Sequence, residues 1–474
     1  MTDTEFAFKA FDEIKDEILA LHKDIYLHPE LSHEETRSAA VIEKKLEEHG
    51  FLVKRGVSGE ATAFIAEYGS GKPVVAYLGE YDALPGLSQV GGCPEKKPME
   101  PGAPGHGCGH SALGTAALAA AFIAARWLDE TKASGTIRYY GCCAEESRGV
   151  KPFMARDGYF DDVDVVYAWH PSDHNGVVNM TMAAIKSVKI SYKGITAHAG
   201  ATPFLGRSAL DAAEIAHVGI NYLREHVVPE ARMQYSYLDA ADKAPNVIPD
   251  HCMTQEVVRA PKMAQVLPIM DRLKKCAEGA ALMTGTTCTI EDDTGFYEVI
   301  QNSVACRILS DAAQDIGAPK WSEEDKKLAA AFSRNFSEEQ KERQAQEAKA
   351  IAGRTGGSAG DLIAGPLDPE MEAFDPEKTS YTGGASDVGD VAMVAPTASL
   401  SVATAALGTP LHTWMFAGQT GSSIGEKGLA CAGEIMGLAG IRTLENPKLL
   451  DGAQEERLAY TGGKPYVCQQ SQTA

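Results

Sequence analysis

Cys108 and His110 stand two residues apart in the glycine-rich stretch GHGCGHSALGTAALAAA. A thiolate and an imidazole are both good ligands for zinc and other first-row metals. The glycines let the backbone turn sharply while presenting both side chains to one point. On its own the tripeptide fits a buried thiol beside a loop histidine just as well. A second segment, YYGCCAEESRG, puts Glu145 and Glu146 at the end of an apolar strand. Adjacent strand residues point to opposite faces, so the two carboxylates can differ in role. One can bind a metal while its neighbour serves a metal-bound water as general base. The competing reading is a solvated turn. His170 in VVYAWHPSDH and His412 in LGTPLHTWMFAG each follow an apolar stretch, where a lone histidine is more often structural. His174, in the polar SDHN, reads as a surface residue.

The count changes the weighing. Cys108, His110, Glu146, His170 and His412 are five candidate metal ligands, each at or just after a strand or loop end. Asp82, in LGEYDALPG, adds a carboxylate able to orient a ligating imidazole. Five ligands can serve a two-metal centre if one of them bridges. A bridging Cys108 thiolate needs no added base once the metals lower its pKa.

Elements that could carry these residues alternate between strand and helix, which argues an α/β fold with a mostly parallel sheet and helices on both faces. Helices are expected at 8–21 and 36–49. The runs ATAFIAEYG, KPVVAYLGEYD, TIRYYGCCAEE and DVDVVYAWHP read as strands, with an alanine-rich helix at about 112–130 among them. Ligands in such sheets gather at the carboxyl ends of strands, where Asp82, Glu145, Glu146 and His170 stand. Near residue 184 the character changes to a β–α–β–β–α–β-like order, a smaller α+β domain interrupting the first. The expected layout is therefore 1–184, then 185–299, then 300–474, the last with a long insertion at about 321–378. Within it, 321–351 reads as exposed helix and 353–378 as a long loop. A last large helix is expected at 422–438, followed by a polar, poorly ordered tail after residue 451.

The chain has 474 residues, long enough for two domains and a large core without staples. Its 44 Lys+Arg against 65 Asp+Glu leave a net charge of −21, which argues against nucleic-acid and membrane-surface partners. The ten cysteines are too few for a disulfide scaffold and read as reduced thiols in a cytoplasmic setting. The acidic N-terminus has no basic region followed by an apolar core, so no secretory signal is expected. The apolar run 111–127 reads as a buried helix, not a membrane span.

GEYDALPG, GHGCGHS, AEE, AWHP, KGITAHAGATPFLGRSALDA, NVIPD and GTPLHTWM occur in an order that resembles a dinuclear metallohydrolase family. That family contains aminoacylases, carboxypeptidase G-like enzymes and indole-acetyl-amino-acid hydrolases. The chain is most similar to its amidohydrolase branch, which includes p-aminobenzoyl-glutamate hydrolase-like and Xaa-Arg dipeptidase-like proteins. The resemblance spans about residues 10–440. It implies a catalytic domain interrupted by a lid domain that also forms a homodimer, and it admits a further partner in a hetero-subunit. It implies that Cys108 bridges two divalent ions, zinc or manganese with cobalt as an alternative. Glu146 and His412 then complete one ion, and His110 and His170 the other. Glu145 matches the general base and Asp82 the carboxylate behind the ligands. His198, in TAHAGATP, matches a lid histidine that steadies the oxyanion in the site of the other protomer; otherwise it is a packing histidine. Asn246 and Arg259 match positions holding the substrate's carboxylate, and arginine can do so through two parallel hydrogen bonds. The rival for Arg259 is an ordinary strand-edge charge. Gly383 and Gly384 would let backbone amides approach a carboxylate, or form a plain flexible loop. Ser111 and Glu80 depart from the family, which more often has Asp or Asn at the first position and Asp at the second.

The resulting expectation is hydrolysis of an N-acyl or N-aroyl amino acid, p-aminobenzoyl-glutamate leading, by metal-activated water with Glu145 as base. A dipeptidase or indole-acetyl-amino-acid hydrolase of the same family is the alternative substrate reading. Two other classes stay open: a metal-independent cysteine hydrolase using Cys108 with His110 or His412, and a non-catalytic binding relative.

Overall fold

The computed structural model describes residues 1–240 and 244–471. Its strands are, in chain order, β1 (Leu52–Arg55), β2 (Phe64–Ser70), β3 (Val74–Glu80), β4 (Gly135–Cys142), β5 (Val165–Ser172), β6 (Gly176–Val177), β7 (Met180–Met182), β8 (Ala184–Lys193), β9 (Arg232–Asp239), β10 (His251–Ala260), β11 (Thr287–Phe296), β12 (Ser380–Thr382) and β13 (Thr397–Ala403). The chain divides into two compact units. The first comprises Met1–Asn179, Gln301–Thr379 and Val391–Pro465; the second comprises Met180–Ile300, Ser380–Asp390 and the tail from Tyr466.

The first unit is built on a seven-stranded mixed sheet ordered β1-β2-β4-β3-β5-β13-β6. Its centre is parallel: β4 with β3, β3 with β5, and β5 with β13. Its margins are antiparallel: β1 with β2, β2 with β4, and β13 with β6. The central β3 reads VVAYLGE and is buried at every position, as a strand covered on both faces must be. The alanine-rich helix His110–Thr131 is buried along nearly its whole length and packs against β3 and the helix Ser423–Glu445. It is long and apolar enough to cross a membrane, yet 94% of its most apolar window is buried inside the protein. Small residues bring these helices together: a Cβ at Gly437 would lie 2.8 Å from Ile123.

Several elements differ from expectation. The first helix runs Asp3–Leu27, longer at its start because Thr2 and Glu5 form a reciprocal capping box. The last large helix extends to Glu445. The single exposed helix expected at 321–351 is two, Glu323–Ser333 and Glu338–Thr355. Ser337 restarts the second: its Oγ accepts the Gln340 N–H while Gln340 Oε1 accepts the Ser337 N–H. Nor is the pair merely solvated, since Phe332 and Phe336 cluster with Met415, and Ala329 with Leu367, Ala406 and Ile424. The expected loop at 353–378 holds a short helix, Ala359–Ala364. The polar tail is ordered by a helix, Ala453–Thr461, whose first carbonyl accepts Asn302 Nδ2 at 2.8 Å. Residues 472–474, which that expectation also covered, lie outside the described residues.

The second unit is a four-stranded antiparallel sheet ordered β11-β8-β10-β9, with a separate parallel pair β7 and β12. The helices Ala209–Leu223 and Met263–Thr284 cover one face of the larger sheet, burying a core that includes Val188, Ile190, Ile220, Val266 and Leu273. β9 is an edge strand, exposed at every residue but Met233.

Candidate metal centre

The carboxyl ends of four strands of the first unit, and the turns that follow three of them, carry side chains that could do chemistry. β3 leads to Asp82, β4 to Glu145 and Glu146, β5 carries His170, and the stretch after β13 carries His412. Cys108 lies in the loop before the helix His110–Thr131, and His110 is that helix's first residue. Gly109 between them has φ +87°, and a Cβ there would meet Pro171 at 2.8 Å. Only glycine lets that turn pack against the residue following His170.

Cys108 Sγ lies 3.3 Å from His170 Nε2. Cys108, His110 and His170 form one group whose ligand atoms all lie within 4.8 Å of one another, and Cys108, Glu146 and His412 form a second. Cys108 is common to both. His110 is fully buried, and its Nδ1 lies 2.9 Å from Asp82 Oδ1. The other Asp82 oxygen accepts from Ser32 Oγ and from the Glu146 N–H, each at 2.9 Å. His412 Nε2 is 3.5 Å from Glu146 Oε1. His412 has φ +60°, a left-handed backbone rare for a residue with a Cβ, and its N–H donates to Gly107 O at 2.9 Å.

The electrostatics are those of a site that needs a cation. Burial pushes the Cys108 thiol well above its ordinary pKa, which works against an unassisted thiolate nucleophile. Burial opposes charge on His110, but Cys108 and Asp82 outweigh it and raise its pKa. Burial lowers His170, with His110 adding to the effect. Burial would raise Asp82, but His110 and the N–H of Glu146 hold it below the usual range. Two buried atoms, His110 Nε2 and Glu146 Oε1, have no hydrogen-bond partner. Buried polar atoms left so are costly, and a metal ion would satisfy both. Sulfur, imidazole and carboxylate donors suit zinc and neighbouring first-row ions.

Glu145 and Glu146 do not end a strand. β4 stops at Cys142, and Ala144 turns the chain with φ +59° so that both glutamates lie in the following turn. Glu35 holds that turn: its Oε1 accepts the Ala144 N–H at 2.7 Å. Burial, with Asp82 adding, pushes the Glu35 carboxyl up to about 7. Glu145 joins Glu80 and His110 in a third group within 4.8 Å. Sequence reasoning misses Glu35 and Ser32, and registers Glu80 only as a departure. His174 is not a free surface residue; it is half-buried and paired with Asp173, which with Glu347 makes a fourth group.

The remaining expected residues lie in the second unit. His198 is exposed, and its Nδ1 accepts the N–H groups of Gly200 and Ala201 at 3.2 and 3.1 Å. The neutral ring therefore carries its proton on Nε2. Asn246 lies alongside, its carbonyl accepting the Ala199 N–H at 2.9 Å. Arg259 Nη1 donates to Gly383 O at 3.0 Å. Gly383 has open space where a Cβ would stand, so no close backbone approach within this unit requires glycine there. The Gly384 carbonyl accepts the Ala183 N–H at 2.8 Å.

Residues 76–366 match the model of peptidase family M20/M25/M40. The chain is 38% identical over 450 residues to a p-aminobenzoyl-glutamate hydrolase subunit of Escherichia coli K12, covering 94% of this chain and 92% of that protein. It is 30% identical to Xaa-Arg dipeptidase of Mus musculus, covering 67% and 72%. Among solved structures, the YXEP protein of Bacillus subtilis, a dinuclear metal binding peptidase from the M20 family, superposes with a TM-score of 0.57 at 18% identity, covering 92% and 99%. Aminobenzoyl-glutamate utilization protein from Klebsiella pneumoniae does so with 0.58 at 15%, covering 92% and 97%. The family match covers more than half of the 474 residues and a relative well above 30% identity covers nearly all of them: the chain belongs to peptidase family M20/M25/M40.

Proposed function

We propose that this chain hydrolyses the amide bond of an N-acyl or N-aroyl amino acid, with p-aminobenzoyl-glutamate the leading substrate. The coarser statement follows from the family: a metal-dependent hydrolase of amide bonds. What supports the finer reading is the likeness to a p-aminobenzoyl-glutamate hydrolase over 94% of the chain. The observation that carries the chemistry is the pair of ligand groups sharing Cys108, with His110 Nε2 and Glu146 Oε1 buried and unsatisfied.

Cys108, Glu146 and His412 would hold one divalent ion, and Cys108, His110 and His170 the other. Zinc and manganese suit these donors, and cobalt also fits. When bound, such ions supply Lewis-acid chemistry, acidifying water and polarising a carbonyl. Glu145 takes the proton of the attacking water and returns it to the leaving amine nitrogen. Asp82 orients His110 through Nδ1 and leaves Nε2 for the ion. His198, with its proton on Nε2, donates to the developing oxyanion in the site of the other protomer, and Arg259 with Asn246 holds the substrate carboxylate. Gly383 and Gly384 line that end of the substrate.

Two copies of the chain pair through the second unit. β9 is the edge strand of its sheet, with Tyr235, Tyr237 and Leu238 exposed, and a second β9 would cover it. The relatives include two proteins named for different subunits of p-aminobenzoyl-glutamate hydrolase, so a related but distinct chain is a further candidate partner. The test is a hydrolysis screen across acyl groups and amino-acid leaving groups, with defined metals. Turnover of N-aroyl glutamates with Glu145→Gln inactive but metal-loaded supports the reading. Full activity in that variant removes Glu145 as base, and no turnover of any N-acyl amino acid removes the substrate class.

A further inference from the structure

One carboxylate in the site has no task in the two-ion reading, on which this inference rests. Glu80 ends β3 and is 4% exposed. Its Oε1 accepts from Lys151 Nζ at 2.7 Å. Lys151 begins the helix Lys151–Arg156 and is 0% exposed. A lysine ammonium is taken out of water only against a counter-charge, so this pair is fixed in place. The other oxygen, Oε2, lies 3.3 Å from His110 Nε2. That nitrogen is the one left over when Asp82 takes Nδ1. Although Oε2 is this close, His110 Nε2 has no hydrogen-bond partner. Two donors bound to one zinc ion at about 2.1 Å in tetrahedral geometry stand about 3.4 Å apart. The two atoms therefore sit at the spacing of ligands to a common ion rather than bonded to each other. Glu80, His110 and Glu145 each offer a ligand atom, all within 4.8 Å of one another.

We infer that Glu80 is a further ligand of the ion held by His110 Nε2, and that Lys151 is a positioning residue. Lys151 occupies one Glu80 oxygen and so aims the other at the ion. The contrary reading is an ion pair that only fastens the helix Lys151–Arg156 to β3. The two differ in what they predict for metal binding.

The experiment compares the unmutated chain with Glu80→Gln, Lys151→Met and the double variant E80Q/K151M. Each is stripped of metal, then titrated with zinc against a chromophoric chelator, with ions per chain read by elemental analysis. The unmutated chain binding two ions supports the underlying reading; its binding none overturns that reading and this inference together. Given two ions, Glu80→Gln is expected to keep one and bind the other about 100-fold more weakly. Because Glu80→Gln removes the Glu80 charge beside the buried Lys151, the double variant, which removes both charges, keeps the test decisive. It should show the same selective weakening. In Lys151→Met, Glu80 loses the contact that aims its second oxygen, so the same ion should bind more weakly and zinc should raise the melting temperature less than in the unmutated chain. If the folded variants bind both ions within about twofold of the unmutated chain, Glu80 is not a ligand and the pair is structural.

Discussion

Asp82 holds the main-chain N–H of Glu146 at 2.9 Å through one carboxylate oxygen while the other lies 2.9 Å from His110 Nδ1. A single side chain thus sets the orientation of candidate ligands from two different loops. Asp82→Asn cannot accept at both positions. Its zinc affinity should fall about 10- to 100-fold, with the fold retained. Chelator competition measures this, and an unchanged affinity would show that the ligands are oriented without Asp82.

Gln344 ties the 321–378 segment to the loop that carries His412. Its Nε2 donates to Leu407 O at 2.8 Å and to Ser333 Oγ at 2.9 Å, and the side chain is buried. Gln344→Leu leaves the Leu407 carbonyl unsatisfied, at a cost of about 1–3 kcal/mol. Denaturant melts should register that loss, and the ion bound through His412 should weaken as well. Equal stability in the two proteins would mean that the loop is held by other contacts.

A pH dependence follows from His174. Burial works against its charge, but Asp173 outweighs burial, with Glu347 and Asp368 contributing, and raises its pKa to about 9. Arg343 also faces this cluster, 3.6 Å from Asp173 and 2.6 Å from Glu347. The folded pKa exceeds the unfolded value of about 6.5, so the stabilisation is complete below pH about 6.5 and is lost as pH rises through about 9. The melting temperature should decline over that window, and His174→Gln should flatten the decline. Identical slopes in both proteins would remove His174 from the account.

Much of the site is legible in the sequence because each candidate ligand follows an apolar strand or opens a glycine-rich loop, and a parallel sheet gathers such ends along one edge. Cys108, His110, Glu146, His170 and His412 are read from that logic and lie close together in the structure. The turn at Ala144 is not legible, since nothing in GCCAEE signals a left-handed alanine held by a glutamate 109 residues away. Lys151 escapes for a similar reason: nothing in RGVKPFMARD marks it, and only the fold buries it against Glu80. The stretch 321–351 reads as a single exposed helix because its apolar residues are sparse. Phe332, Phe336 and Ala329 are enough to seat it.

Arg259 tests the carboxylate clamp. Arg259→Ala should raise KM about tenfold or more for an N-acyl amino acid and much less for the corresponding amide, because arginine binds a carboxylate through paired charge-assisted hydrogen bonds. Steady-state kinetics on both substrates decide it. Equal effects would make Arg259 a structural residue of β10, serving Gly383 alone.

Cys108, His110, Glu146, His170 and His412 lie close enough together to hold a pair of divalent ions, and on the proposed function hydrolysis depends on that pair. The most direct measurement is ions per chain by elemental analysis of the protein in metal-replete buffer, before and after chelation, with hydrolysis followed in parallel. Two ions per chain are expected, with loss of both ions and activity on chelation and return of both on adding metal. Protein that binds no ions yet hydrolyses N-acyl amino acids in the presence of chelator would contradict that dependence.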